Sequence, residues 1–143
     1  MTKALLDDHL LRDLLADDIG VELSCILRDH QPATTNLYLY RLSKSVVSAR
    51  GGTLTGSWSL ERRRALGHTL MTLPASVEVV PLRLLTYRMA EICDVQRVST
   101  LGAEAVAAAE HLNASLCVWE GDDGLAIRSA AAASGARYVT IGR

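Results

Sequence analysis

The chain has 143 residues, of which 49% are apolar and 22% charged, with a formal net charge of −1. That length suits one domain with its own hydrophobic core, so residues 1–143 are read as a single domain. The near-neutral balance excludes a global positive field for nucleic acid and leaves only a local patch for that purpose. Lys3 to Leu6 is a brief apolar run that reads as a buried strand, and Asp7 or Asp8 can cap the helix that follows it. His9 to Leu15 carries Leu10, Leu11, Leu14 and Leu15 at helical spacing, whereas Val21 to Leu27 fits a helix or a strand. Gln31 to Thr35 marks a break and a helix start. Leu39, Leu42, Val46 and Ala49 then recur on one face until Gly51 and Gly52. A loop runs through Gly56. Ser57 or Ser59 opens a helix from Leu60 to Leu73, closed by Pro74. Ser76 to Pro81 reads as a strand, Leu82 to Gln96 as a helix, Thr100 to Leu112 as an Ala-rich helix and Ser115 to Trp119 as a strand. A second Ala-rich helix, Gly124 to Ser134, and a last strand, Arg137 to Ile141, complete the chain.

Strands that alternate with helices call for an α/β protein: a short parallel sheet with helices on both faces, in three layers. Sites in such sheets lie beyond the carboxyl ends of the strands. Asp7 follows the first strand, and Glu120, Asp122 and Asp123 follow the strand ending at Trp119, so parallel pairing would bring acids from opposite ends of the chain together. The opening Met1 to Leu6 is too short for a signal peptide or a membrane span. Cys25, Cys93 and Cys117 have no C-x-x-C spacing and read as three buried thiols in a reducing cytoplasm.

Several stretches resemble the PIN-domain family and, within it, the small VapC-like toxin ribonucleases. Ala4-Leu5-Leu6-Asp7 is similar to the family's opening strand and first catalytic Asp. Thr34 to Leu42 is similar to the helix that bears a Glu before a Leu. Ala103 to Leu116 resembles its Ala-rich helix and following strand. Asp122-Asp123-Gly124-Leu125 resembles its Asp-x-x-Leu step, and Gly135 to Val139 its final strand. The resemblance implies a PIN-like fold and a carboxylate site for Mg²⁺ or Mn²⁺, in which the metal activates water against an RNA phosphate. It also implies a homodimer, a toxin-antitoxin pair with an antitoxin-like protein partner, and a cytoplasmic, non-membrane setting.

The departures from the family are specific. Arg41 stands at the position aligned with the Glu, and Gly102 at the position of the third acid. Glu104, two residues on, is about 200° round the helix and no obvious substitute. Asp7 and Asp122 carry over as catalytic and metal residues, with Glu120 as a further candidate ligand. Arg41 is expected to take the metal's electrostatic place by pairing with Asp7 or Asp122.

Each residue also has a plainer reading. Asp7 and Asp8 can be simple helix caps, Asp122 and Asp123 can favour a helix dipole, and Arg41 can lie along the surface. Arg62, Arg63 and Arg64 are either a solvated helix face or a set of phosphate contacts. His9, His30, His68 and His111 show no metal spacing. Three functions follow as expectations: a catalytically degenerate PIN protein that keeps the fold and binds RNA or a partner, an active Mg²⁺-dependent endoribonuclease, and a dimeric interaction module. For the dimer, Tyr38 and Tyr40 cannot both face inward from one helix, and Trp58, Leu60, Leu66, Leu70 and Leu73 offer further apolar surface.

Overall fold

A computed structural model describes residues 2–48, 50 and 52–143. The chain begins with β1 (Thr2–Leu6), α1 (Asp8–Leu15), α2 (Val21–Asp29), β2 (His30–Thr34) and α3 (Asn36–Val47). A four-residue helix α4 (Gly52–Thr55), α5 (Leu60–Met71), β3 (Glu78–Val79), a 3₁₀ turn (Leu82–Leu84) and α6 (Thr86–Val95) follow. The last third holds α7 (Thr100–Leu112), β4 (Ser115–Trp119), a second 3₁₀ turn (Glu120–Asp122), α8 (Leu125–Ala133) and β5 (Tyr138–Ile141). No helix among the described residues is long and apolar enough to cross a membrane.

The protein is α/β, with a parallel five-stranded sheet in the order β3-β2-β1-β4-β5. The alternation of side chains along a strand divides the core. Leu5, Ala33, Leu116 and Val118 face Leu85, Met89 and Ile92 and the alanines of α7 and α8. Ala4, Leu6, Cys117 and Ile141 face Leu10 of α1 and Leu23 of α2. The helices therefore cover both faces. Ala103 and Ala105 to Ala109, including Val106, are all almost wholly buried. Their short side chains let α7 lie close to the sheet and to α6 and α8 at once.

The winding reverses at β1. From there the chain builds outward to β2 and β3, then returns to lay β4 on the other side of β1. The carboxyl ends of β1 and β4 thus flank a topological switch point, where neighbouring connections leave in opposite directions and open a crevice.

The structure departs from several expectations. His30 to Thr34 is a strand, not the break expected around Pro32. Proline lacks an N–H and argues against a central strand. Here β3 pairs only with Ala33 and Thr34, so Pro32 has no ladder neighbour on that side. The hydroxyl of Thr34 donates to the Leu6 carbonyl at 2.9 Å and ties the ends of β2 and β1 together. The cysteines differ as well: Cys117 is buried in β4, but Cys25 and Cys93 are exposed. Val21 to Leu27 is helical, the Gly56 region contains α4, and the strand expected over Ser76 to Pro81 is confined to two residues. Ala49 and Gly51, read as the end of a helix and its stop, lie outside the described residues.

Candidate functional site

Asp7 occupies the switch point. It leaves β1 in an extended conformation and caps α1, one carboxylate oxygen accepting from the Leu10 amide at 2.9 Å. The other oxygen accepts from the Trp119 amide at the end of β4, also at 2.9 Å. The side chain that starts the helix therefore also clasps the two central strands. Burial dominates its titration and pushes its pKa up from 3.8 to about 7. The two amides oppose that shift, while the charges of Asp8 and Asp122 add to it.

Asp8, the first residue of α1, is equally hidden. One of its oxygens accepts from the His9 amide at 2.9 Å. The other, Oδ2, is buried and accepts no hydrogen bond among the described residues; the Arg41 guanidinium of α3 approaches it to 3.3 Å as an ion pair. Burial raises the Asp8 pKa and Arg41 acts against that rise. Asp122 comes from the turn after β4 and is exposed. One oxygen from each of Asp7, Asp8 and Asp122 lies within 4.8 Å of the other two. These acids line a cleft of about 330 Å³, together with Tyr38, Arg41, Val98, Gly102 and Ile127.

Asp7 and Asp122 thus meet as the sequence implies, but the third acid is Asp8, not Glu120. The Glu120 carboxylate lies over Gly142, where an added Cβ would stand 2.8 Å from its Oε2. Asp123 is held elsewhere by Arg128 and the Tyr138 hydroxyl, both at 2.8 Å. Arg41 does enter the acid cluster, with Asp8 as its partner in place of the expected Asp7 or Asp122. Asp8 could have been found from the sequence: it follows Asp7 at the mouth of a helix, and the first helical residue can face the same crevice as its cap.

Glu104 is fully buried in α7 and serves α3. Its carboxylate accepts from the Leu37 amide at 2.9 Å, the Asn36 amide at 3.1 Å and the Asn36 side chain at 3.0 Å. It closes the start of that helix and has no place in the cleft. Gly102 lines the cleft, but a Cβ there would lie 2.6 Å from a Val98 methyl.

The three consecutive arginines do not act as one patch. Arg62 stacks over Trp58, 3.7 Å from the ring centroid, and pairs with Asp18. Arg63 turns back to the end of α3 and donates to the carbonyls of Ser45, Val46 and Ser48. Arg64 lies beside Val46, Val47 and Met71 in an apolar groove. His9 stacks flat on Trp119, with ring centroids 4.3 Å apart, and fixes the wall between the acids and β4.

An all-oxygen donor set suits a hard divalent cation such as Mg²⁺ or Mn²⁺, and three carboxylates leave room for water or a phosphate to complete the shell. Against tight binding, Asp7 already holds two amides and Asp8 already faces a guanidinium. No protein-family model matches the chain, and no curated protein matches it.

Proposed function

We propose that the chain is a PIN-type protein of the VapC-like kind in which the metal-dependent nuclease centre has been reduced, leaving a cleft for RNA or a protein partner. The observation that carries this reading is Arg41. A cation built into the chain stands against Asp8 inside the acid cluster, where the resemblance requires a carboxylate. The crowding at Gly102 supports it, because a side chain at that second acid position meets Val98. The strand order accords with the family assignment, because it sets β1 beside β4 and so brings Asp7 and Asp122, the two acids that the resemblance carries over, to one end of the sheet. A cytoplasmic setting accords with the same assignment.

The convergence of Asp7, Asp8 and Asp122 favours a second reading, an active endoribonuclease. A bound divalent cation would supply water activation and charge neutralisation at a scissile phosphate. In that case Asp7 and Asp8 would orient it, and Arg41 would face the phosphate. A nuclease assay on single-stranded RNA with Mn²⁺ separates the two. The reduced centre gives no cleavage above that seen with chelator. Cleavage that disappears in both Asp7→Asn and Asp122→Asn establishes the enzyme instead.

A homodimer forms part of the proposal. Tyr40, Val47 and Met71 are 61%, 81% and 82% exposed. They border two adjoining grooves along α3 and α5 that share Ser43 and Val47. Exposed apolar side chains gathered along one groove tend to mark an interface.

A further inference from the structure

We propose that the cleft binds a small aliphatic amine, its ammonium group donating to Asp7, Asp122 and the Tyr38 hydroxyl while its chain lies along Val98, Leu101 and Ile127. This rests on the reading of a reduced metal centre and names what such a centre holds in place of a metal. The observation that leads to it is Tyr38. Its side chain lines the cleft and the residue is only 3% exposed, yet its hydroxyl makes no hydrogen bond among the described residues. A buried hydroxyl without a partner is costly unless something that enters the cleft meets it. Burial and then the charges of Asp7 and Asp8 keep its proton in place, so it stands near the acids as a neutral group.

The acids supply the charge. Arg41 pairs with Asp8, whereas Asp7 accepts from backbone amides, and no cationic side chain among the described residues pairs with Asp7 or Asp122. A primary ammonium has three N–H donors. With N–H···O distances of about 2.9 Å, one tetrahedral nitrogen reaches oxygens about 4.7 Å apart. The acid oxygens lie within 4.8 Å of one another, and the Tyr38 hydroxyl offers a third acceptor.

The rest of the cleft is apolar. Val98 fills the space that a side chain at position 102 would take, with a methyl 2.6 Å from a Cβ built on Gly102, so that corner is hydrocarbon. Leu101, Val118 and Ile127 continue the wall. A hydrated inorganic ion gains nothing from such a wall, whereas an alkyl chain is driven onto it. A cleft of about 330 Å³ is of the size that takes a small molecule whole, which favours a free amine over a side chain presented by a protein.

The test is a titration of the ¹⁵N-labelled full chain at pH 7.5 with n-butylamine, followed through the amide resonances of Gly102, Trp119 and Ile127. The controls are n-butanol, which keeps the chain without the charge, and methylamine, which keeps the charge without the chain. Butylamine should bind saturably with a dissociation constant on the order of 1 mM, at least about 10-fold tighter than methylamine, and butanol should not saturate. Tyr38→Phe should weaken butylamine about 3- to 10-fold, the loss of one hydrogen bond, with no loss of stability in urea, because the hydroxyl has no partner in the fold. Asp122→Asn should weaken it at least about 3-fold. Butanol that binds as well as butylamine, undiminished binding in Tyr38→Phe, or no saturable shift up to about 20 mM overturns the inference. A blocked lysine amide that binds more tightly than butylamine overturns the free-amine assignment. Calorimetry with Mn²⁺ in place of the amine separates this inference from the reading beneath it. Weak Mn²⁺ binding beside no amine binding sinks the amine alone, whereas micromolar Mn²⁺ binding sinks the reduced centre and the amine with it.

Discussion

The Trp119 backbone amide donates to the Asp7 carboxylate at 2.9 Å, across 112 positions of sequence. The same carboxylate caps α1 through Leu10. One acid therefore closes the junction between the two central strands and the first helix, and it does so where burial disfavours its charge.

That placement makes stability depend on pH. A carboxyl with a folded pKa of about 7 against 3.8 in the unfolded chain holds its proton more tightly when native. Its contribution is complete below the unfolded value and is lost as pH climbs through the window to 7, by up to roughly 4 kcal/mol. Asp8 shifts in the same direction. His9, lowered by burial and then by Arg12, acts oppositely just below its ordinary 6.5. Urea unfolding from pH 5 to 8 should show stability falling as pH rises. In Asp7→Asn that fall should shrink by more than half, although its amide group faces the Trp119 N–H and costs about 1–2 kcal/mol throughout. An unchanged slope in the variant contradicts the assignment.

Glu104 presents the opposite case, a buried acid whose oxygens are committed to a neighbouring helix. Glu104→Ala leaves the Asn36 and Leu37 amides without their acceptor and opens a void in α7. The expected cost is about 3–5 kcal/mol, read by urea or thermal unfolding, with Glu104→Gln recovering part of it. A loss below about 1 kcal/mol would show that water replaces the carboxylate.

The arginines of α5 separate into different duties. Arg63→Ala removes the donor to three carbonyls at the end of α3 and should destabilise by about 1–2 kcal/mol. Arg64→Ala, on an exposed residue, should stay within about 0.5 kcal/mol. Any loss of RNA binding on replacing all three must therefore be corrected for folding before it is read as loss of phosphate contacts.

The proposed dimer can be tested by sedimentation equilibrium at micromolar concentration. Val47→Asp with Met71→Asp, both at strongly exposed positions, should give a folded monomer from a dimeric parent. A parent that is itself monomeric removes this part of the proposal.

Much of the architecture is legible in the sequence because its signals are local. Thr100–Leu112 and Ser115–Trp119 have the bounds expected of an Ala-rich helix and an apolar strand. β1 is central, and Asp7 and Asp122 meet beyond the sheet. β2 was hidden because its sequence, His30 to Thr34, holds a proline and few apolar residues; pairing with β1, not strand propensity, fixes it. The partner of Arg41 was hidden for a geometric reason. Whether a guanidinium on α3 reaches Asp7, Asp8 or Asp122 depends on how α3 crosses α1, and that crossing is set by Leu11, Leu42 and Leu66 in a third core cluster. Glu104 looked unhelpful because it lies off the cleft-facing side of α7, and that same offset directs it to α3.

The most direct measurement is a Mn²⁺ titration of the free protein near pH 7.5, with unbound Mn²⁺ read by electron paramagnetic resonance. Alongside it runs a variant that restores the acids, Arg41→Glu with Gly102→Asp, and with Val98→Ala to admit the new side chain. The parent should bind with a dissociation constant on the order of 0.1 mM or weaker, and the variant at least about 10-fold more tightly. Binding by the parent at about 1 μM, or no gain in a folded variant, would contradict the reading of Arg41 as the cation that displaced the metal.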